Sequence, residues 1–227
     1  MNVHSHLLPA MPPHLIVAPT EPTLSERHIR ILDAAEHVFA RAGFHTATMQ
    51  DVAAEAGMSP GNLYRYFNSK DAIIAGMAER DRSTIAADFA ALCPSRGPLL
   101  DQLEELGRKH LVHQPREKAV IALQIWAEAA RNEDMARMCA GIEETLIGGL
   151  VAALSEAKRT GELPADLDEQ SFLLAISMMA DGFFCRRAIE SSFDADVGAD
   201  VLFRSMRALA HAMPLPATQM QSMETQS

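Results

Sequence analysis

The sequence predicts an all-α protein of about nine helices: an N-terminal three-helix domain built around a helix-turn-helix, then a larger helical domain. Three observations lead there. Apolar residues recur three and four apart between Gly and Pro breaks, the mark of amphipathic helices. Ala gathers in helical runs such as AAEHVFARA and AEAARNEDMARM, while aromatics make up only 5% of the chain. No segment alternates with a period of two, and no Asn-Gly or Asp-Gly pair sits between β-rich runs. With 227 residues the chain has room for one or two domains and a sizeable core.

The elements follow in order. Five of the 12 prolines fall in the first 22 residues, so 1–23 read as a disordered, mobile extension. The first helix spans about Ser25 to Ala42. Ser25 caps it, Ile31, Ala35, Val38, Phe39 and Ala42 make its stripe, and Gly43 ends it. Thr48, with Asp51 three residues on, opens the second as a near capping box, and Gly57 closes it. Ser59 caps a third helix, Pro60 to Phe67, with Pro60 at the first helical position, where a missing N–H costs nothing. Ser69 caps a fourth that runs towards Leu92. Beyond Pro98, helices are expected near 99–113, 116–131, 133–160, 167–187 and 197–212. The domains are therefore 24–71 and 72–213, with a flexible tail over 214–227.

Composition excludes several classes. Hydrophobic residues at 48% and charged residues at 22% rule out a wholly disordered or disulfide-stapled chain. Cys93, Cys139 and Cys185 are odd in number and scattered, and read as buried thiols of a reducing, cytoplasmic compartment. The best apolar run, Leu146 to Leu154, is shorter than a membrane span, and no secretory signal opens the chain. The net charge of −10 argues at first against a polyanionic partner. Most of it lies in 72–227, whereas 24–71 is close to neutral and can still present a positive face.

Residues 49–67, MQDVAAEAGMSPGNLYRYF, hold the informative segment. Val52, Ala56, Met58 and Leu63 are spaced to pack two short helices together, Ala53 is small at their closest approach, and Gly57 supplies a left-handed turn. This is a helix-turn-helix, which projects its second helix into a DNA major groove. Ser59, Asn62, Tyr64, Tyr66 and Arg65 offer polar or charged groups on that helix, and Gly61 permits close backbone approach. Thr48 and Gln50 at the preceding helix start, Pro60 at the recognition-helix start, and Lys70 beyond it complete the candidate DNA-binding set. Tyr64 and Tyr66 have a second reading as half-buried packing residues.

From Ile31 to about Ile74 the string ILDAAEHVFARAGFHTATMQDVAAEAGMSPGNLYRYFNSKDAII strongly resembles the TetR family of bacterial transcriptional regulators. Gly43, Phe44, Thr48, Val52, Ala53, Ala56, Gly57, Ser59, Leu63, Tyr64, Tyr66, Phe67, Lys70 and Asp71 stand where that family's pattern places them. The resemblance implies an all-helical homodimer on a palindromic double-stranded operator. It also implies a C-terminal ligand-binding and dimerisation domain whose last two helices form a four-helix bundle with the partner. Binding of a small hydrophobic effector then releases the DNA. The Pro-rich extension departs from the family pattern and carries no Lys or Arg, so no basic minor-groove arm is expected.

The remainder is less specific. Phe172, Ile176 and Met179, then Leu202, Met206 and Leu209, are assigned to the dimer interface, with packing inside one subunit as the bland alternative. Phe89, Cys93, Trp126, Met138, Cys139, Ile142, Met178 and Phe183 are candidates for an effector pocket, each equally readable as core. A Met-rich wall suits varied hydrophobic ligands and hence control of multidrug efflux genes. The alternatives are control of lipid, amino-acid or osmolyte metabolism, or a helical ligand-binding module without DNA binding. Asp181 is expected to pair with Arg186 or Arg187. His110 and His113 lie three apart without an evident third ligand, so neither metal nor cofactor is expected. No phosphate loop, nucleophile elbow or paired-carboxylate motif suggests an enzyme.

Overall fold

Side-chain caps divide the N-terminal part of the molecule at the positions the sequence marks. The computed structural model describes residues 25–214; the expected 1–23 extension and the tail beyond Pro214 lie outside the described residues. Helix α1 (Glu26–Ala42) begins at Ser25, whose hydroxyl accepts the His28 N–H. Helix α2 (Met49–Glu55) begins at Thr48, where the full capping box forms with Asp51. Helix α3 (Pro60–Leu63) begins at Ser59, and α4 (Lys70–Ala90) at Ser69, each hydroxyl accepting an N–H three residues on. Gly43 and Gly57 take φ of 80° and 67°, which an L side chain would resist, and so let α1 turn into α2 and α2 into α3.

Helix α3 is shorter than the expected Pro60–Phe67. After Leu63 the chain tightens, with Arg65 N–H donating to the Asn62 carbonyl and Tyr66 N–H to that of Leu63. Gly61 and Asn62 are weak helix formers, and the tighter turn swings Phe67 inward to near-complete burial.

The second part comprises α5 (Leu99–Leu111), α6 (Arg116–Ala129), α7 (Glu133–Arg159), α8 (Glu169–Ile189) and α9 (Ala195–Ala212). Asn132, Asp168 and Asp194 cap the last three. Among the described residues there are nine α-helices and no strand, as expected. The end of α9 is tied back by the Asp168 N–H, which donates to the Met213 carbonyl at 2.8 Å.

Two apolar clusters hold the fold. One joins Ile31, Leu32, Val38 and Phe39 of α1 to Val52, Leu63, Ile73 and Met77, and also takes in Ile121 of α6 and Met135 of α7. The other joins α5, α7, α8 and α9 around Leu154, Phe172, Phe183, Leu202 and Phe203. Each such side chain contributes about 1.5–3 kcal/mol by leaving water. This corrects three members of the dimer stripe. Phe172, Leu202 and Met206 are buried within the subunit, and Ile176, Met179 and Leu209 pack against the same cluster. The outward apolar face of α8 and α9 is instead Leu174, Met178 and Ile189 with Val197 and Val201. Helix α8 is apolar on both faces, so its periodicity alone could not say which face is core.

Helix α7 carries an 18-residue window of mean hydropathy 1.4, long and apolar enough by composition to cross a membrane, a longer stretch than the nine-residue run seen in the sequence. It packs along α4 and α6, and touches α8 and α5. Its Ala and Gly residues extend the apolar window beyond the large side chains.

Candidate nucleic-acid interface and apolar cavity

The turn between α2 and α3 presents a polar edge over a tightly packed base. Leu63 and Val52 are fully buried, which fixes α3, while Gln50, Ser59, Pro60, Gly61, Tyr64 and Arg65 are exposed and Asn62 is partly so. Tyr64 is 53% exposed and stands clear of the core. Tyr66 is half-buried against the first cluster, edge-on to His28, with its hydroxyl 3.5 Å from Arg27 Nη1. Tyr66 thus fits the packing reading, whereas Tyr64 leaves its ring on the surface. Arg27, at the start of α1, stands beside the exit of α3 and was not among the residues expected there.

Two of the expected DNA contacts make bonds within the protein. Lys70 does not extend outward: its ammonium donates to the carbonyls of Phe44, His45 and Ala47 at 2.7, 3.2 and 2.8 Å and lies over the Phe44 ring. The turn after α1 leaves those carbonyls without helical partners, and an ammonium with three donors satisfies them. Thr48 donates its hydroxyl hydrogen to Asp51 at 2.6 Å, while its backbone N–H donates to the same carboxylate oxygen. Those bonds hold the Asp51 carboxyl below its ordinary range.

The near-neutral charge of this domain conceals a division. Asp33 and Glu36 of α1 are paired with Arg80 of α4, and Glu36 also with Lys118 of α6. Glu55 is paired with Arg41. Asp33, Glu36 and Glu55 thus turn to the body or to their own domain, and among the described residues Arg65 forms no ion pair. The body reaches the loop before α2 as well. Gln124 of α6 accepts the Phe44 N–H at 3.0 Å and donates to the Phe39 carbonyl at 3.3 Å, and Glu128 meets His45 at 3.1 Å.

A cavity of about 480 Å³ lies between the end of α4, the start of α5 and α7. Small residues create it: Ala86 and Ala90 on α4 face Gly149, Ala152, Ala153 and Ala157 on α7, too short to fill the gap. At Gly149 a Cβ would come within 2.6 Å of Phe89 Cγ, so the glycine lets that ring lie against α7. Of the expected pocket residues, Phe89 and Cys93 line the cavity and the other six do not. Trp126 packs edge-on to Phe184, Met138 lies against the first cluster, and Phe183 is buried on Phe193. Cys139 and Ile142 are half-buried on α7, and Met178 is 65% exposed. The lining holds no methionine, which removes the feature that pointed to efflux genes. The signal missed was the run of small residues on α7, since large apolar residues fill cores and small ones leave room.

The polar groups of the lining are already engaged. The Gln102 amide donates to the Cys93 and Gly97 carbonyls, Thr145 donates to the Gly141 carbonyl and Thr160 to that of Glu156, while Glu156 pairs with Arg159. The Leu99 N–H donates to Glu162. Cys93 is exposed rather than buried; Cys139 and Cys185 are half-buried. Asp181 pairs with neither expected arginine. Arg186 meets Glu190, and Arg187 donates to the carbonyls of Leu111, Val112 and Gln114. Partial desolvation, with the nearby Glu143 charge, raises the Asp181 carboxyl, although the residue is exposed. His110 is bound to Asp88 at 2.7 Å, and His113 is exposed on its own.

Comparison with known proteins follows the same two-part division. Residues 31–77 match the model described as bacterial regulatory proteins of the tetR family, and 101–211 match one described as the C-terminal part of BetI-type transcriptional repressors. The HTH-type transcriptional regulator UidR of Escherichia coli (strain K12) is 30% identical over 140 residues, covering 61% of this chain and 70% of that protein. Salmonella enterica GusR superposes with a TM-score of 0.65 at 28% identity, covering 81% of this chain and 95% of that one. FadR from Bacillus subtilis, solved in complex with stearoyl-CoA, superposes with a TM-score of 0.65 at 19% identity over 79% of this chain and 97% of its own, a likeness of fold.

Proposed function

The chain belongs to the TetR family of bacterial regulatory proteins, and from that premise we propose that it represses transcription as a homodimer on a palindromic operator and is released by a small apolar effector. The observation that carries the reading is the polar edge of α3, held outward on a fully packed helix-turn-helix. Gln50, Ser59, Asn62, Tyr64 and Arg65 supply its contacts, with Arg27 added and Lys70 acting from behind. Most of these groups suit phosphate and so position the head; Asn62 and Tyr64 at the tip of the edge are the ones placed to read bases.

The effector seat is the α4–α7 cavity. Its volume suits a small ligand, and its polar groups already have partners. It therefore selects for shape and apolarity, without a charged anchor. Such a molecule acts only if it binds the DNA-free form more tightly. Helix α4 is the lever. It starts at Lys70, which grips the loop before α2, and ends at Phe89 on the cavity wall. Prying its far end from α7 tilts the near end and resets the spacing of the two reading heads. The outer face of α8 and α9, Leu174, Met178, Ile189, Val197 and Val201, supplies the surface for the partner subunit. The protein works in the cytoplasm, without a cofactor and with no membrane association.

Fluorescence anisotropy tests the reading, with the duplex upstream of this protein's own gene against a scrambled one at physiological salt. A preference of about a thousandfold or more is expected. Equal weak binding to both, persisting for duplexes selected from a randomised pool, would overturn it.

A further inference from the structure

The loop 43–47 is held from two sides. Lys70 at the start of α4 takes three of its carbonyls, while Gln124 on α6 takes the Phe44 N–H and, across the Gly43 turn, the Phe39 carbonyl. The loop leads without interruption into Thr48 and α2. Both grips act on backbone atoms, so they fix the path of the chain itself. The Arg80 and Lys118 ion pairs also join body to head, and Glu128 of α6 meets His45 of the loop, but these reach side chains, and ion pairs tolerate changes of geometry that hydrogen bonds to the backbone do not. Helix α6 packs on α8 and α7 with its other faces. A displacement of α6 is therefore a displacement of the loop.

We infer that this loop is the joint coupling operator occupancy to the body of the protein, and that Gln124 is the positioning residue through which α6 takes part. The inference rests on the DNA-binding reading above and adds to it a second arm besides α4. Coupling between sites is reciprocal: if the body acts on the head through Gln124, a bound operator must act on α6 by the same route. Trp126, two residues along α6, is the only Trp of the chain and packs edge-on to Phe184 of α8, so it reports on α6 from within.

The experiment titrates full-length protein with a duplex selected from a randomised pool, recording duplex anisotropy and Trp126 emission together. Wild type is expected to bind with a change in Trp126 emission of about a tenth or more. Gln124→Met keeps the side-chain length and removes both hydrogen bonds. It is expected to bind the duplex within about fivefold of wild type while losing about two thirds or more of the emission change. A full emission change in Gln124→Met, or none in wild type, would overturn the inference, as would a larger fall in affinity, since Gln124 would then be a support of the reading head alone. Should Gln124→Met fail to fold, Gln124→Glu retains the acceptor for the Phe44 N–H. A response below wild type in that variant supports the joint, and an undiminished one overturns it. Absence of duplex binding by wild type is read from anisotropy alone and overturns the DNA-binding reading, and the joint with it.

Discussion

An ammonium group enclosed by three carbonyl oxygens contributes to stability. Replacing Lys70 by Met leaves the Phe44, His45 and Ala47 carbonyls unpaired. The variant is expected to lose about 2–3 kcal/mol in urea denaturation, with operator affinity of the folded fraction nearly intact. Tyr64→Ala should do the reverse: an unchanged urea midpoint, because the ring is 53% exposed, and operator binding weakened by about tenfold or more in anisotropy. The sequence places both residues in the candidate DNA-binding set, Tyr64 on the recognition helix and Lys70 beyond it. Only the position of the α1–α2 turn, which no local pattern encodes, separates them. The thiols differ in the same way. Cys93 lies 3.0 Å from the Ser95 hydroxyl, which with Arg96 draws its thiol below the ordinary value, while burial raises Cys139. Alkylation followed by mass mapping should label Cys93 first; earlier labelling of Cys139 would contradict the exposure described.

Helices were legible wherever their ends carry chemistry. Ser25, Thr48, Ser59 and Ser69 each donate or accept as expected because capping is a short-range interaction between residues three apart. Packing was less legible. Which face of α8 turns inward depends on α5, α7 and α9 rather than on its own period, so Phe172 and Met178 could not be sorted in advance. The cavity escaped because it arises from Ala and Gly on two helices distant in sequence. Close approach has a measurable consequence at α5 and α9. A Cβ on Gly107 would fall well inside van der Waals contact of the Phe203 ring, which is almost fully buried. Gly107→Ala is expected to destabilise by about 1–3 kcal/mol. Differential scanning calorimetry should show a lower midpoint, and an unchanged midpoint would mean the α5–α9 contact is slack.

At the scale of the whole molecule, charge and apolar surface are both polarised. Asp33 and Glu36 of α1 face Arg80 and Lys118, while Leu174 and Met178 stand outward on α8. Introducing Leu174→Glu with Met178→Glu places two charges on that face and touches neither apolar cluster. Sedimentation should then report monomers, and operator affinity should fall by about a hundredfold or more as two half-sites cease to be bound together. A dimer that persists would place the partner surface elsewhere.

Ile121 and Met135 share one buried cluster with the first helices, although they lie far along the chain. That arrangement limits how the protein can be taken apart. A fragment cut after α4 would carry a hydrophobic scar where those two side chains had been. A chimera grafting this reading head onto a foreign body would need a host whose sixth and seventh helices fill the same hollow. The transplantable unit is thus defined by what plugs the core, and it is discontinuous along the chain.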